Sequence, residues 1–187
     1  LPYETDIKIP LIVRGPNIPK KKVVNFPTLL IDIFPTILNW ANITYDADKF
    51  DGIPLNDIIE EDNHENVERQ IFFEHAGEGN IDTFNSECPY KRSQRLNECT
   101  LEAECKCQDA WNNSYTGIIH FARDTHFKFI MFEDREKYEE AYDLTNDIYE
   151  MENIAFDILP SIRARYQVIL ENLKSCKGQN CKIYQHV

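Results

Sequence analysis

The apolar positions of the first sixty residues predict one strand and one helix. Residues 9–13 (IPLIV) form an unbroken apolar run closed by a Gly-Pro turn, which is typical of a strand buried on both faces of a parallel sheet. The stretch DIFPTILNWANI (32–43) predicts a helix that begins at Asp32, with the Asp32 side chain as its N-terminal cap. Its apolar face is formed by Ile33, Ile37, Leu38 and Ala41. Both elements need neighbouring strands, so we expect this chain to be the C-terminal piece of a longer protein.

The rest of the chain predicts a small antiparallel unit closed by a helix. Four strands are predicted, at 70–75 (QIFFEH), 116–122 (TGIIHFA), 126–132 (HFKFIMF) and 139–144 (EEAYDL). The second and third form a hairpin that turns at residues 123–125. The helix at 159–176 has an apolar stripe of Ile162, Tyr166, Ile169, Leu170 and Leu173. A polar, acidic stretch at 56–68 predicts the boundary, which divides the chain into residues 1–60 and 68–187, with a cysteine-rich insert at 85–115.

Composition and charge narrow the class of protein. The 187 residues are 42% hydrophobic and 28% charged, as in a globular protein. The formal net charge of -12 argues against nucleic acid as a partner, because a nucleic-acid-binding face is basic. No apolar segment approaches the roughly 20 residues that a membrane-spanning helix requires.

The cysteines and two sequons indicate the secretory route. Cys176 and Cys181 enclose the tight turn KGQN, which predicts a disulfide between them. Of the other four cysteines, Cys105 and Cys107 each pair with Cys88 or Cys99 in one of two patterns, and the alternative for these four is a zinc cluster. The sequons Asn42-Ile43-Thr44 and Asn112-Asn113-Ser114 are candidate glycosylation sites. An oxidising, secretory environment accounts for both features.

Candidate chemistry is concentrated at the end of the first strand of the antiparallel unit. Glu74, His75 and Glu78 lie there beside a glycine-bearing loop, a common place for functional side chains. A carboxylate beside an imidazole can do acid–base work or contact a hydroxylated ligand, and the alternative is an ordinary polar loop. His120 and His126 lie on either side of the predicted hairpin turn, which could bring them together. Two histidines without a third ligand are weak evidence for a metal site, so the favoured interpretation is ordinary surface or packing histidines. No nucleophile–base pair stands out.

Several motifs together resemble the C-terminal part of sulfatases. They are YETDIKIPLIVRGPNI (3–18), DIFPTILNWANI (32–43), DGIPL (51–55) and YDLTNDIYEMENIA (142–155). A second group, EHAGEGN (74–80), ECPY (87–90), CKCQDAWNNSY (105–115) and LKSCKGQNC (173–181), is similar to the N-acetylglucosamine-6-sulfatase branch, which the extracellular heparan endosulfatases partly share. The resemblance covers nearly the whole chain.

The resemblance implies an α/β fold of the alkaline-phosphatase and sulfatase type. In that fold a large α/β domain is followed by a small α+β subdomain with an antiparallel sheet and a terminal helix. Residues 1–60 would be the last strand and helix of the large domain. The protein would then be a lysosomal or secreted hydrolase of 6-sulfate esters of N-acetylglucosamine in heparan or keratan sulfate.

The same resemblance implies that the catalytic groups lie in a missing N-terminal catalytic domain. These groups are the C-x-P-S-R motif whose cysteine becomes formylglycine, the Ca²⁺ ligands and the sulfate-binding cations. Here Cys88-Pro89 is followed by Tyr90, so no catalytic or metal residue is carried over and we expect this chain alone to be inactive. Glu74, His75 and Glu78 would be substrate contacts in the pocket wall.

Two other classes of protein fit the same residues. The chain could be a secreted, non-catalytic glycan-binding or interaction module. It could also be part of another alkaline-phosphatase-superfamily hydrolase, such as a phosphodiesterase. The sequence that precedes Leu1 discriminates among the three, since each has a different nucleophile or none.

Overall fold

The computed structural model describes seven segments of the chain. They are residues 1–60, 67–75, 96–98, 108–110, 114–133, 136–182 and 184–186. The α-helices are α1 (Glu4–Ile7), α2 (Ile33–Trp40), α3 (Asn56–Glu60) and α4 (Pro160–Leu173). The strands are β1 (Val67–His75), β2 (Leu96–Glu98), β3 (Gln108–Ala110), β4 (Tyr115–Ala122), β5 (Thr125–Phe132), β6 (Glu139–Asp143) and β7 (Tyr184–His186). Short 3₁₀ turns cover Leu30–Asp32, Ala47–Lys49 and Gly178–Cys181.

Five of the strands form one antiparallel sheet. Their order is β6-β5-β4-β1-β7, and β2 pairs with β3 in a separate ribbon. The β4–β5 hairpin turns at Arg123 and Asp124, as predicted, and the four strands predicted for the antiparallel unit are all present. This sheet with its closing helix confirms the predicted small α+β unit, an antiparallel sheet with a terminal helix.

Helix α4 covers one face of the sheet. Its Tyr166, Leu170 and Leu173 pack on Ile118 and Phe129 in the main hydrophobic core. Burial of a large apolar side chain contributes about 1.5–3 kcal/mol, so this stripe holds the helix in place. At the N-terminal half of α4, Ile162 is exposed, which limits the predicted stripe to its later members.

The first sixty residues cover the opposite face. Tyr3 packs there beside a buried group of Tyr115, Ile130 and Tyr142. A second small core of Phe26, Leu55 and Ile58 lies within the N-terminal segment itself. The sheet is therefore enclosed on both sides, with α4 on one face and the N-terminal segment on the other.

The predicted strand at residues 9–13 is wrong for this structure. The run is irregular, and Ile12 is 89% exposed. A strand needs a hydrogen-bonded neighbour, and in the described part of the chain no strand pairs with this segment.

The predicted apolar face of α2 is only partly covered within this chain. The helix itself is confirmed, but it ends at Trp40, and it buries Pro35 and Thr36 instead of the predicted stripe. Ile37 is 50% exposed and Ala41 is exposed. Within this chain α2 is held by polar contacts instead. Thr36 Oγ1 accepts a hydrogen bond from the Leu55 amide at 2.9 Å, which joins the helix to the segment before α3.

The C-terminal end of the chain contacts the N-terminal segment through the disulfide loop, residues 176–181. The predicted Cys176–Cys181 disulfide is present. Inside the loop, the Gly178 amide donates to Asp51 Oδ1 at 2.6 Å, and Gly178 has a left-handed φ of 59°. A Cβ at this glycine would lie 1.7 Å from the Asp48 carbonyl oxygen. Only glycine allows this close approach.

Candidate functional site

The structure places Glu74 and His75 at the end of β1, on opposite faces of the sheet. Successive side chains of a strand alternate between faces. Glu74 pairs in register with Thr116, and His75 pairs with Tyr115. The two side chains are therefore adjacent in sequence but cannot act directly on the same atom of one ligand from within the strand.

His75 lies at the edge of an aromatic cluster. Its ring is 5.3 Å from the ring of Tyr115, which in turn lies 5.7 Å from Phe132 and 6.3 Å from Phe73. These rings hold the imidazole against the sheet on the face that the N-terminal segment covers. Glu74 is exposed on the face of α4. The arrangement offers one imidazole edge and one separate carboxylate at the same end of the strand.

The other predicted site residues lie outside the described part of the chain. They are Glu78, Asn112, Cys88, Cys99, Cys105 and Cys107. Their roles and pairing stay predictions.

One buried charge on the same face as His75 is Lys128, which the sequence pattern does not single out. Its side chain is fully buried, and Nζ lies 2.6 Å from Glu150 Oε1 and 2.9 Å from Glu4 Oε1. Nζ also donates to the carbonyl of Pro2 at 2.9 Å. A buried ammonium is tolerated only when it is paired and hydrogen-bonded, so Lys128 fixes the first turn of the chain on the sheet. One feature of the sequence could have indicated this buried charge: Lys128 is a single lysine within the otherwise apolar stretch FKFIMF.

A carboxyl group next to this lysine has a perturbed pKa. Burial raises the pKa of Glu140, and the negative charge of Glu150 raises it further, whereas hydrogen bonds from Tyr142 and Tyr3 oppose the shift. Tyr142 donates to Glu140 Oε2 at 3.0 Å. Burial, followed by the Glu140 charge, also raises the pKa of Tyr142. These groups form a buried polar layer between the sheet and the N-terminal segment.

A second buried ion pair joins β1 to the N-terminal segment. Arg69 donates from both terminal nitrogens to the two oxygens of Asp32, each at 2.8 Å, and also to the Pro27 carbonyl at 2.6 Å. The Asp32 carboxylate also accepts from the amides of Leu29 and Ile53. The predicted capping role of Asp32 is therefore wrong, because its side chain makes no capping hydrogen bond to α2. The Asp32 carboxylate binds Arg69 of β1 instead.

The two histidines of the hairpin do not form a pair. On the α4 face, His120 Nε2 lies 2.6 Å from Glu68 Oε1, and Nδ1 lies 3.1 Å from the Tyr166 hydroxyl. His126 stacks on Phe121 on the opposite face, with ring centroids 4.0 Å apart. Burial and the nearby Lys8 charge lower the pKa of His126. Both histidines are structural in this arrangement.

Within the described residues, no group of three or more His, Cys, Asp or Glu side chains could hold a metal ion. None of the helices in these segments is both long and apolar enough to cross a membrane. The described site is therefore a strand end backed by aromatic rings and a buried charge network.

Comparison with known proteins finds sulfatases among the proteins to which this chain is similar. The chain is 32% identical over 180 residues to the N-acetylglucosamine-6-sulfatases of Bos taurus and Homo sapiens, covering 96% of this chain and 31% and 32% of those proteins. It is 29% identical over 183 residues to Sulfatase ppz1 of Metarhizium majus. The chain spans about a third of the length of these curated relatives. No protein-family model matches it.

Solved structures give weaker likenesses. The structure of BT4656 with its substrate D-glucosamine-2-N,6-O-disulfate aligns with a TM-score of 0.41 and 22% identity, over 76% of this chain and 22% of that one. A 2-O GAG sulfatase, BT1596, aligns with a TM-score of 0.39 and 19% identity, over 75% of this chain and 23% of that one.

Proposed function

This chain belongs to the sulfatase family, and we propose that it is the C-terminal part of an enzyme that hydrolyses 6-sulfate esters of N-acetylglucosamine in heparan or keratan sulfate. The observation that carries the proposal is the match to N-acetylglucosamine-6-sulfatases over 96% of the chain at 32% identity. The proposed location is the lysosome or the extracellular space, and the disulfide supports an oxidising route to it.

The nucleophile and the Ca²⁺ ligands are proposed to lie in an N-terminal catalytic domain. Calcium would stabilise the charge that develops on the sulfate during hydrolysis. The described residues do not fit such a site, since they hold no cluster of three potential ligands. We therefore assign no catalytic or metal role to any of them.

The exposed apolar side chains of α2 support docking against that domain. Phe34 and Ile37 are at least half exposed and lie one turn apart. An apolar helix face of this kind favours burial against another surface. In the proposal, α2 and the irregular run at 9–13 complete their packing on the catalytic domain.

The end of β1 is proposed to contribute to the wall of the substrate pocket. Glu74 and His75 carry the polar groups that contact hydroxyl or N-acetyl groups of sugars, and Glu78 belongs to the same proposal. Because Glu74 and His75 lie on opposite sheet faces, the sugar contacts them from different sides or contacts only one. Separate substitutions are therefore needed to assign them.

The function is tested by comparing the product of the whole gene with the chain 1–187. We expect the whole product to release sulfate from N-acetylglucosamine 6-sulfate, and the chain alone to give no turnover above a buffer blank. Turnover by the chain alone would contradict the assignment of catalysis to another domain. Hydrolysis of phosphodiesters but not sulfate esters would favour the phosphodiesterase alternative, and glycan binding without any hydrolysis would favour a binding module.

The pocket wall is tested in the whole product with matched variants. His75→Phe keeps an aromatic ring against Tyr115 but removes both nitrogens, and Glu74→Gln removes only the charge. Loss of one hydrogen bond to the sugar, about 1–1.5 kcal/mol, corresponds to a rise in KM of about five- to twelvefold. Glu152→Gln, at an exposed position, is the control. Unchanged KM in both site variants would show that this strand end does not contact the substrate.

A further inference from the structure

The C-terminal end of α2 carries a sequon in a geometry suited to modification. Asn42, Ile43 and Thr44 match N-x-T and follow directly after the helix. All three residues are exposed, and the segment from Ile43 to Asp46 is irregular. An N-linked glycan is bulky and needs such a surface position. The sequon is therefore presented outside regular structure, where a folded protein tolerates an oligosaccharide.

The local backbone explains why an asparagine is tolerated at position 42. The Ile43 amide donates to the Leu38 carbonyl at 2.9 Å, and the Asn42 amide donates to the Asn39 carbonyl at 3.0 Å. This pair of bonds is the Schellman motif that closes many helices. Asn42 takes the left-handed position of the motif, with φ 52°, where glycine is preferred and asparagine is the next choice.

The helix-closing role accounts for Asn42 but not for Thr44. The Schellman bonds end at Ile43, and Thr44 is exposed beyond them. Within the described residues, Thr44 makes no side-chain hydrogen bond that would require a hydroxyl. A hydroxyl residue two positions after asparagine is what an N-glycosylation acceptor needs. The two residues together thus fit an acceptor better than a cap alone.

We infer that Asn42 carries an N-linked oligosaccharide that begins with N-acetylglucosamine. The inference rests on the secretory route of the proposed function, and the Cys176–Cys181 disulfide independently supports that route. The first sugars would lie beside Trp40 and Ile43, which expose 40% and 53% of their surface. The glycan would therefore shield apolar surface at this end of α2 and keep it outside the contact with the catalytic domain.

The test uses the whole gene product made in a eukaryotic secretory cell, with Asn112→Gln in the parent and in every variant, which removes the other sequon of residues 1–187. Asn42→Gly removes the acceptor but keeps the left-handed helix end, which glycine adopts readily. Thr44→Val removes the acceptor hydroxyl with little change in shape, whereas Thr44→Ser keeps the sequon. The measurements are gel mobility before and after a peptide-N-glycosidase, and the mass of the peptide that contains residue 42.

We expect the peptide that contains residue 42 to carry a glycan that the glycosidase removes in the parent and in Thr44→Ser, and to be unmodified in Asn42→Gly and Thr44→Val, both of which should migrate one glycan ahead of the parent. Retained and secreted pools are both analysed, since glycans are attached before export. An unmodified Asn42 peptide in the parent would overturn the inference. Sulfatase activity is measured separately, so an inactive but glycosylated protein would count against the proposed function and not against this site.

Discussion

Replacement of Arg69 by Met is the sharpest test of how the N-terminal segment is attached to the sheet. Arg69 is 4% exposed and forms two hydrogen bonds at 2.8 Å to the fully buried carboxylate of Asp32. Methionine fills much of the same space without a charge. Asp32 would stay buried with its amide donors at Leu29 and Ile53 but without its cation.

The expected loss is a large share of the stability of the chain. Removing one partner of a buried ion pair costs about 3–5 kcal/mol, against a typical total of about 5–15 kcal/mol. The double variant Arg69→Met with Asp32→Asn should recover part of this loss, because no unpaired charge then remains buried. In a double-mutant cycle the two changes should therefore be strongly non-additive.

The free energy of unfolding is measured by urea titration followed by circular dichroism, with hydrogen exchange at the Leu29 and Ile53 amides. Both amides should exchange faster in Arg69→Met, since the segment they belong to loses its attachment to β1. The control is Arg165→Met on the exposed side of α4, with an expected change within about 0.5 kcal/mol. If Arg69→Met costs no more than this control, the buried ion pair does not hold the two parts together.

Three further predictions concern the loop, the buried carboxyl and the order of local stability. Gly178→Ala should destabilise the chain by more than 1 kcal/mol, because the new Cβ would meet a backbone oxygen. The control Gly15→Ala should be nearly neutral, since the nearest atom to its new Cβ is a side-chain carbon at 3.6 Å. Equal urea midpoints for the two variants would contradict the close contact at Gly178. The raised pKa of Glu140 makes its contribution to stability fall as pH rises from its unfolded to its folded pKa. Glu140→Gln should therefore be more stabilising, relative to the parent, near neutral pH than at about pH 4, and a parallel pH profile would refute this. In hydrogen exchange on the chain alone, residues 9–13 should be weakly protected and 127–131 strongly protected, and the reverse order would show that residues 9–13 are held by contacts absent from this structure.

Polar side chains that decide the tertiary arrangement were the hardest to read from the sequence. The sequence pattern predicts Lys128 only as part of a strand and Asp32 only as a helix cap. Their partners lie far along the chain: Glu4 and Glu150 for Lys128, and Arg69 for Asp32. Pairing of buried charges depends on which segments meet in space, and no local pattern records that.

One property of the candidate site, the placement of Glu74 and His75 on opposite faces, is predictable from the sequence pattern alone. The alternation of strand side chains already separates Glu74 from His75, because the two are consecutive in a predicted strand. What the pattern could not supply was the ring of Tyr115 beside His75, which follows from the register between β1 and β4. Residue types and faces are local properties, but register is set by the whole sheet.

The sequence by itself determined several local elements: four strands, the hairpin turn, helix α4 and the Cys176–Cys181 disulfide. The strands predicted at 70–75, 116–122, 126–132 and 139–144 are observed at 67–75, 115–122, 125–132 and 139–143. These depend on periodicity and short-range spacing, which hold wherever the segments are placed. Only the tertiary structure decided that residues 9–12 are exposed, that the apolar stripe of α2 is only partly covered, and that the ion pairs Arg69–Asp32 and Lys128–Glu4 fix the N-terminal segment on the sheet. The physical reason is that a residue is buried only when a second surface packs against it. Which segments pack against each other depends on the whole fold and not on the local sequence.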